Sequence, residues 1–399
     1  MKTQNGDGGM VTGRRKITPA SARQHTRNKS NLSPSPISLT TLVFKDLAIA
    51  CRISMKKTIV MIVIMILGVT FQAIYPPPPK ICGSNGGPPI TASRIRLRDG
   101  RYLAYSEFGV PADHAKHSFV FIHGFDSYRN NNPFVQGLSS ETVEALGIYM
   151  VSFDRPGYGE SDPDPKRTGK SLALDIEELA DQLKIGDKFY VVGFSMGGEN
   201  VWNCLKYIPH RLEGATLLAP VINYWWDGLP ANLTSEAYKI QFEQDQWALR
   251  VTHYAPWLTY WWNTQKWFPP SSVVDHRPDI LSKQDIQILI DNAGSDIFGD
   301  GPVRQQGEYE SIHRDMMIGF GSWEFSPVVD ISSNKNLFEG VKVHIWQGDE
   351  DGLVPVTLQR YVANSMPPWL QYHELHGAGH LFPFAQGMPL LIIKTQLST

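Results

Sequence analysis

The hydrophobic residues of this chain follow three patterns, and each predicts a different kind of structure. Thr58–Tyr75 is a run of 18 residues without a charged side chain. As a helix it would span about 27 Å, close to the ~30 Å hydrocarbon core of a bilayer, so it predicts one transmembrane helix. Residues 1–57 show no sustained period and predict a disordered tail. Residues 76–92 open with four prolines and predict a stiff linker.

From residue 93 onward, short apolar runs alternate with stretches of helical periodicity. Ile95–Arg98 and Arg101–Tyr105 flank an Asp-Gly pair, which predicts a two-residue hairpin. Ser171 predicts the N-cap of a helix that continues to about Leu183. Strands that alternate with helices imply an α/β fold with a doubly wound, mostly parallel sheet. The other predicted strands are Ser118–His123, Tyr149–Asp154, Lys188–Phe194, Ala215–Ala219, Val341–Gln347 and Leu370–Leu375.

This alternation is interrupted once, between about Val221 and Asn334. Seven of the eleven tryptophans fall in this segment, which looks helical and irregular. We interpret it as an insertion between two strands of the sheet. The body then consists of a first part at residues 93–220, the insertion at residues 221–334, and a second part at residues 335–399.

The near-neutral charge of the chain hides two regions of opposite sign. Residues 1–57 carry eleven basic and two acidic side chains, a formal charge of +9, which leaves −11 for the rest of a chain with a total of −2. An acidic body argues against nucleic-acid binding. Three cysteines exclude a disulfide scaffold and a cysteine-rich zinc module. No His-Glu-x-x-His spacing or phosphate-binding glycine loop is present, so we expect neither a metal nor another cofactor.

The apolar run at residues 58–75 has several interpretations. Lys56 and Lys57 precede it and prolines follow it, which favours a retained signal anchor over a buried core helix. A cleaved signal peptide fits less well, because bulky Phe71 would occupy the −3 position. An anchor with basic residues before it predicts a cytosolic tail and a lumenal or extracellular body in the secretory pathway. The Arg- and Ser-rich tail also resembles a chloroplast or mitochondrial transit peptide, which stays an alternative.

A Gly-x-Ser-x-Gly motif supplies the first candidate for chemistry. Gly193, Ser195 and Gly197 follow the predicted strand Lys188–Phe194 and open a predicted helix. A sharp strand-to-helix turn requires strained backbone angles at the serine, and the flanking glycines remove Cβ atoms that would clash there. Such a turn exposes the serine Oγ at the edge of the sheet. The motif therefore predicts Ser195 as a nucleophile.

Four further stretches carry a resemblance to a known family: His123–Asp126, Asp154–Asp162, Gly348–Pro355 and Gly377–His380. With the serine motif, they resemble the α/β-hydrolase superfamily from about Ser93 to the C-terminus. More narrowly, the chain looks like a serine hydrolase with a cap domain, and like a plant-like, membrane-anchored member. The order serine, acid, histidine is that of the superfamily.

The resemblance implies roles for individual residues. Ser195 would be the nucleophile, His380 the general base, and Asp351 the acid that orients the imidazole. The backbone N–H groups of Phe125 and Met196 would form the oxyanion hole. The residues implied to shape the site structurally are His123, Gly124, Gly193 and Gly197.

Neighbouring side chains leave alternatives for two of these roles. Asp349 and Glu350 share the acid loop with Asp351, which matches the superfamily position two residues before Leu-Val-Pro. His373 and His376 are alternatives to His380, which alone follows the Gly-Ala-Gly stretch. We also expect Arg155 and Asp162 to stabilise their loop rather than to contact substrate.

The insertion resembles a cap over the active site. Trp225, Trp226, Trp261 and Trp262 would line an apolar substrate pocket or touch a membrane, or would instead form the core of the cap. The expected activity is cleavage of a carboxylic ester, of a small molecule or a lipid-like one, through an acyl-enzyme. The alternatives are a ligand-binding or receptor-like protein with little turnover, and acyltransferase or lyase chemistry on the same fold.

Overall fold

The computed structural model describes residues 39–292, 301–333 and 340–398. A helix, α1, covers Leu39–Ile74, and its segment Thr41–Ile74 is long and apolar enough to cross a membrane. The disordered tail predicted for residues 1–38 lies outside the described residues. For residues 39–57 that prediction is corrected to helix. No proline lies between Pro36 and Pro76, so nothing in this stretch stops the helix from starting early.

In the body, eight strands among the described residues form one sheet with the order β1-β2-β4-β3-β5-β6-β7-β8. β1 and β2 pair antiparallel, β2 and β4 do so as well, and every other neighbouring pair is parallel. This topology confirms the doubly wound α/β prediction. The strands are β1 Ser93–Arg96, β2 Tyr102–Gly109, β3 His117–Ile122, β4 Ile148–Phe153, β5 Phe189–Phe194, β6 Leu212–Leu218, β7 Lys342–Gly348 and β8 Leu370–Leu375.

Helices connect the strands and also fill the insertion between β6 and β7. Within the insertion the described residues contain helices and turns but no strand. The helices of the first part are α2 Pro133–Gly137, α3 Ser140–Leu146, α4 Gly169–Leu183 and α5 Met196–Tyr207. Those of the insertion are α6 Ala231–Lys239, α7 Glu243–Tyr254, α8 Thr259–Thr264, α9 Lys283–Asp291 and α10 Arg314–Gly319, with π-helical turns at Tyr309–His313 and Pro327–Ile331; α11 Val356–Ser365 and α12 Met388–Ser398 follow.

The sheet is buried on both faces, as a parallel sheet covered by helices must be. In β3, Val120 and Ile122 belong to the core cluster on one face, and Phe119 and Phe121 to the cluster on the other. Successive side chains of a strand point to opposite faces, so a continuous apolar run supplies both clusters. The second cluster includes Ile392 of α12, which covers that face.

Two local predictions are corrected. The predicted two-residue hairpin is a longer connection, because β1 ends at Arg96 and β2 begins at Tyr102. The N-cap of α4 is Thr168, whose hydroxyl accepts a hydrogen bond from the Ser171 N–H at 3.0 Å. Ser171 Oγ in turn accepts a hydrogen bond from the Thr168 N–H, so the two residues form a capping box.

The linker is fastened to the body. The N–H groups of Lys80 and Cys82 donate to the backbone and side-chain oxygens of Gln306 at 2.8 and 3.0 Å. At the end of the linker, the Thr91 N–H donates to the carboxylate of Glu160 at 2.7 Å. From Lys80 onward the segment is therefore docked against the body and is more than a stiff spacer.

Candidate active site

Ser195 occupies the turn between β5 and α5, as the motif predicts. Its φ is +56°, in the left-handed region that residues with a Cβ rarely adopt. A Cβ on Gly193 would overlap the carbonyl oxygen of Gly197, and a Cβ on Gly197 would overlap that of Ile122. Glycine at both positions is what allows the strained turn to pack tightly against β3, and it holds the serine at the carboxyl end of the sheet.

Two loops at the same end of the sheet bring His380 and Asp351 to the serine. His380 Nε2 lies 3.0 Å from Ser195 Oγ, and His380 Nδ1 lies 2.8 Å from Asp351 Oδ2. Asp351 follows β7 and His380 follows β8, and both strands run parallel to β5 and β6. All three residues are less than a tenth exposed. The geometry is that of a serine, a base and an orienting acid in series.

Asp351 is held by further hydrogen bonds. Its Oδ1 accepts from the N–H groups of Leu353 and Val354, both at 2.9 Å, and its Oδ2 accepts from Gln347 Nε2 at 2.9 Å. A carboxylate that accepts several bonds has little freedom to rotate. It therefore fixes the ring of His380 with Nδ1–H toward the acid and Nε2 toward the serine.

The alternative acid and base residues lie in other environments. Asp349 pairs with His376 at 2.7 Å, and the His376 side chain is almost fully exposed. His373 hydrogen-bonds to His344 and stacks on Trp346, with ring centroids 4.1 Å apart. Neither pair contacts Ser195, whereas His380 does.

The electrostatic surroundings of His380 favour its charged form. Burial alone would lower the pKa of the imidazole, but the charge and hydrogen bond of Asp351, helped by the charge of Asp285, raise it above the usual histidine value. A base with a raised pKa holds a proton more strongly once it has taken it from the serine. The same effect makes the neutral, active form less abundant at mildly acidic pH.

The loop after β3 lies against the nucleophile turn. A Cβ on Gly124 would lie 3.2 Å from Ser195 Cβ, a tight contact, so the backbone of this loop passes close to the serine. Phe125 and Met196 both line one of the cavities that Ser195 also lines. The hydrogen bonds found among the described residues use neither of their N–H groups. These two donors are therefore free to stabilise an oxyanion, as the resemblance implies.

His123 organises this loop and does not face the serine as a base. Its Nε2 accepts the Arg155 N–H at 2.9 Å, which places the ring proton on Nδ1, 2.8 Å from the Gly124 carbonyl oxygen. Complete burial, followed by the positive charge of Arg155, holds the pKa of His123 well below its usual value. Arg155 itself forms a buried ion pair with Asp315, consistent with the structural role expected for it.

Comparison with known proteins agrees with this geometry. A family model described as the alpha/beta hydrolase family matches residues 119–389, more than half of the chain. This chain belongs to the alpha/beta hydrolase family. A comparison with the sequences of curated proteins finds no significant match.

Solved structures share the fold of this alpha/beta hydrolase at low sequence identity. A thermophilic esterase from Thermogutta terrifontis has a TM-score of 0.51 and 18% identity, with 77% of this chain and 98% of that chain covered. An alpha/beta hydrolase fold protein from Chitinophaga pinensis has a TM-score of 0.52 and 17% identity, with 77% and 96% covered. At such identities the likeness shows the fold alone.

The insertion covers the serine, and we call it the cap from here on. Two cavities meet at Ser195 beneath it. One, the Met196 cavity, encloses about 680 Å³ with its opening, and the other, the His380 cavity, about 870 Å³. The residues that line both cavities are Phe125, Ser195, Ser272, Val273, Ile280 and Leu353.

The four tryptophans predicted for the pocket are placed elsewhere. None of Trp225, Trp226, Trp261 and Trp262 lines either cavity at Ser195. Trp225 stacks on His253 with ring centroids 4.0 Å apart, and Trp226 packs on Trp323. Trp261 and Trp262 contact each other and Phe268. These contacts match the alternative in which the tryptophans form the cap's own packing.

Residues of the cap that the sequence did not single out fasten the catalytic loops. The fully buried carboxylate of Asp285 accepts the N–H groups of His380 at 3.1 Å and of Leu381 at 2.6 Å. Gln284 accepts the Gly379 N–H at 2.8 Å. The sequence contains one signal for Asp285, because Ser282-x-x-Asp285 is a capping sequence for α9. That signal does not indicate a contact with the histidine loop.

A second cap contact fastens the oxyanion loop. Asp126, at a positive φ of 48°, accepts hydrogen bonds from Arg304 Nε at 2.7 Å and from His276 Nε2 at 2.5 Å. Burial alone would raise the pKa of Asp126, but these two partners lower it below its usual value. The carboxylate therefore stays charged and holds the loop that carries Phe125 in a strained conformation.

Proposed function

We propose that this alpha/beta hydrolase is a serine hydrolase that cleaves a carboxylic ester through an acyl-enzyme. The observation that carries the proposal is the unbroken hydrogen-bond series from Ser195 Oγ through His380 to Asp351. A serine hydroxyl is a weak nucleophile by itself, and an adjacent oriented base is what activates it. The two free N–H groups at Phe125 and Met196 supply the charge stabilisation that acyl transfer requires.

In the first half of the reaction, Ser195 Oγ attacks the ester carbonyl carbon while its proton moves to His380 Nε2. The carbonyl oxygen becomes an oxyanion that accepts hydrogen bonds from the N–H groups of Phe125 and Met196. The C–O bond to the alcohol then breaks, and His380 Nε2–H gives its proton to the departing oxygen. The products are the free alcohol and an acyl group on Ser195.

In the second half, a water molecule takes the place of the alcohol. Neutral His380 removes a proton from the water as its oxygen attacks the acyl carbon. The bond to Ser195 Oγ breaks, the serine recovers the proton from His380, and the carboxylic acid leaves. Asp351 stays ionised throughout and stabilises the imidazolium formed in each half.

The direct test is covalent labelling together with turnover. A fluorophosphonate probe should label the wild-type protein at Ser195, and Ser195→Ala should abolish both labelling and hydrolysis of a panel of p-nitrophenyl esters. Ser106→Ala is the matched control, because Ser106 bonds to Asn130 on an exposed part of β2. Folded wild-type protein that is neither labelled nor active on any ester would contradict the proposal.

Two other outcomes would favour one of the alternative functions. Labelling at Ser195 with a single burst and no steady turnover would favour the receptor-like alternative. Transfer of the acyl group to an added alcohol or thiol in preference to water would favour acyltransferase chemistry. Both outcomes are visible by product analysis in the same assay.

We further propose that residues 58–75 anchor the protein in a membrane, with the catalytic body in a lumenal or extracellular compartment. The support is helix α1, whose segment Thr41–Ile74 contains an 18-residue window with a mean hydropathy of 2.1. The full chain should stay in the membrane pellet after alkaline carbonate extraction. Ile62→Asp with Ile66→Asp should release it, because each acidic residue near a helix centre costs about 2.5–3.5 kcal/mol on insertion.

Compartment can be tested at a sequon. Asn232-Leu233-Thr234 lies at the start of α6, and Asn232 is exposed. A lumenal body predicts a glycosidase-sensitive mass shift that Asn232→Gln removes. If the full chain in intact cells carries no such glycan and is imported into chloroplasts or mitochondria, the lumenal placement is wrong.

A further inference from the structure

The two cavities at Ser195 differ in part of their linings, and the reaction geometry distinguishes their occupants. His380 must reach the oxygen of the departing alcohol, and it lines only the His380 cavity. Met196 lines only the Met196 cavity. In the proposed reaction the alcohol part of the ester lies in the His380 cavity, beside the base that protonates it. The Met196 cavity is then left for the acyl chain.

The walls of the Met196 cavity are largely apolar. Aliphatic and sulfur-containing side chains from the core and from the cap surround the path that leads away from the serine. They include Val221, Ile222, Leu249, Met316 and Val354. Such walls favour a hydrocarbon chain.

A polar group interrupts this apolar lining. Asp245 of α7, only 6% exposed, lines the cavity together with Ser271 and Ser272. Its carboxylate accepts bonds from Ser271 Oγ at 2.7 Å, from the Ser272 N–H at 2.7 Å and from Ser272 Oγ at 2.6 Å. A carboxylate oxygen has two acceptor directions, so Oδ2, with one donor, can accept another.

Tyr224 is a further polar residue of this wall, which Gln241 also lines. Its side chain lies in the Met196 cavity lining and the residue is 8% exposed. Its ring is held edge-on by Tyr238 and Trp225, at centroid distances of 5.3 and 6.3 Å. The part of the chain that the structure describes offers its hydroxyl no hydrogen-bond partner.

The charges near the tyrosine hydroxyl keep it a donor. Burial first, and then Tyr238, Asp245 and Asp351, raise the pKa of Tyr224 far above its usual value. The hydroxyl is a hydrogen-bond donor at the wall of the cavity, so a ligand atom that accepts from it is favoured over one that cannot.

From this arrangement we propose that the acyl group of the substrate carries an uncharged hydroxyl, which accepts a hydrogen bond from Tyr224 and donates one to Asp245. This inference rests on the proposed esterase function and specifies its substrate class as an ester of a hydroxylated, otherwise apolar, carboxylic acid. A plain hydrocarbon chain would offer the Tyr224 hydroxyl no acceptor and Asp245 no further donor. A terminal carboxylate would meet the negative charge of Asp245.

The test compares matched p-nitrophenyl esters whose acyl chains of six to nine atoms end in a hydroxyl, a methyl or a carboxylate. Hydroxyl and methyl differ little in size, so each pair isolates the hydrogen bonds. In the wild-type protein, kcat/KM should be highest for a hydroxyl-ended ester and lowest for the carboxylate-ended one. The expected preference for hydroxyl over methyl at the best chain length is roughly tenfold or more.

Tyr224→Phe should reduce that preference by roughly tenfold. The ratio is taken within one enzyme, so a partial loss of folded protein cancels. Tyr254→Phe is the matched control: Tyr254 is 72% exposed, accepts a bond from Trp225 Nε1 and lines neither cavity, so the preference should persist. An unchanged preference in Tyr224→Phe, or a wild-type preference for methyl- or carboxylate-ended esters, would overturn the inference. In that case turnover of the methyl-ended esters would still support the esterase proposal, whose failure would instead appear as no turnover and no fluorophosphonate labelling.

Discussion

Replacement of Asp285 by asparagine tests how the cap supports the catalytic base. The carboxylate of Asp285 accepts the N–H groups of His380, Leu381 and Ser282 at distances of 2.6 to 3.1 Å. Asparagine has nearly the same shape, but one of its two terminal atoms is an NH₂ donor. At least one buried N–H of the histidine loop or of the helix cap must then lose its acceptor.

The expected loss of stability follows from the number of buried N–H groups that lose their acceptor. A buried donor left without its acceptor costs about 1–3 kcal/mol. For a body of this size we expect the midpoint of thermal unfolding to fall by a few degrees, roughly 2–4 °C per kcal/mol. The protein should remain folded at 25 °C, because native domains are usually stable by about 5–15 kcal/mol.

The effect on activity is a change in pH dependence. The charge of Asp285 helps to raise the pKa of His380, so its removal should lower that pKa. His380 must be neutral to accept the serine proton, and with a lower pKa it stays neutral to a lower pH. The acidic limb of the kcat/KM profile should therefore move toward lower pH, while loss of positioning should reduce the plateau.

The assay is kcat/KM for a p-nitrophenyl ester between pH 5 and 9, with fluorophosphonate labelling rates measured over the same range. Asp291→Asn is the matched control, because it removes one charge from the other end of α9, where the side chain bonds only to Gln287 among the described residues. An acidic limb that stays in place in Asp285→Asn, or moves toward higher pH, would refute the electrostatic part of the reasoning. A normal thermal midpoint would refute the hydrogen-bond part.

Three further predictions follow from the same site. In the wild-type protein the acidic limb of kcat/KM should lie above the ordinary histidine pKa, because the net effect of Asp351 and Asp285 outweighs burial; a limb at or below pH 6.5 would contradict this. Asp351→Asn should reduce kcat by roughly 10⁴-fold while leaving the fold intact by circular dichroism, since Asn stabilises the wrong imidazole tautomer; a loss under tenfold would exclude Asp351 as the orienting acid. Trp226→Phe should lower the thermal midpoint, because the side chain is buried against Trp323. The ratio of kcat/KM between esters of different chain length should not change. A changed ratio would show that Trp226 does contact the substrate.

The proposed series of Ser195, His380 and Asp351 could be named from the sequence because each member carries a local signal. Ser195 lies in a motif that demands a particular turn, and His380 and Asp351 follow short apolar strands of a parallel sheet. The carboxyl ends of parallel strands meet at one edge, so these loops converge wherever the strands are correctly identified. The sheet was predictable for a related reason, since strands buried on both faces appear as continuous apolar runs.

The contacts between the cap and the loops of the site could not be predicted from the sequence. Asp285 is 95 residues from His380, and a capping sequence announces the start of a helix without naming what else the carboxylate will bind. For the tryptophans, the sequence contained a signal but did not decide between two interpretations of it. A cluster of Trp225, Trp226, Trp261 and Trp262 signals burial, but ring contacts within the cap satisfy that signal as well as a substrate does. The early start of α1 at Leu39 was missed because its first turns lack a clear hydrophobic stripe.

The contacts of Asp126 with Arg304 and His276 bear on how such enzymes can be recombined. A cap is often regarded as a module that could be exchanged to change specificity. Here the exchange would remove the partners of a buried aspartate on the oxyanion loop and the acceptor of the His380 N–H in the same step. A transplanted cap would therefore need an acidic residue at the position of Asp285 and a basic pair facing Asp126. Selection on a library of chimeras should recover those three residues before it recovers any that line the cavities.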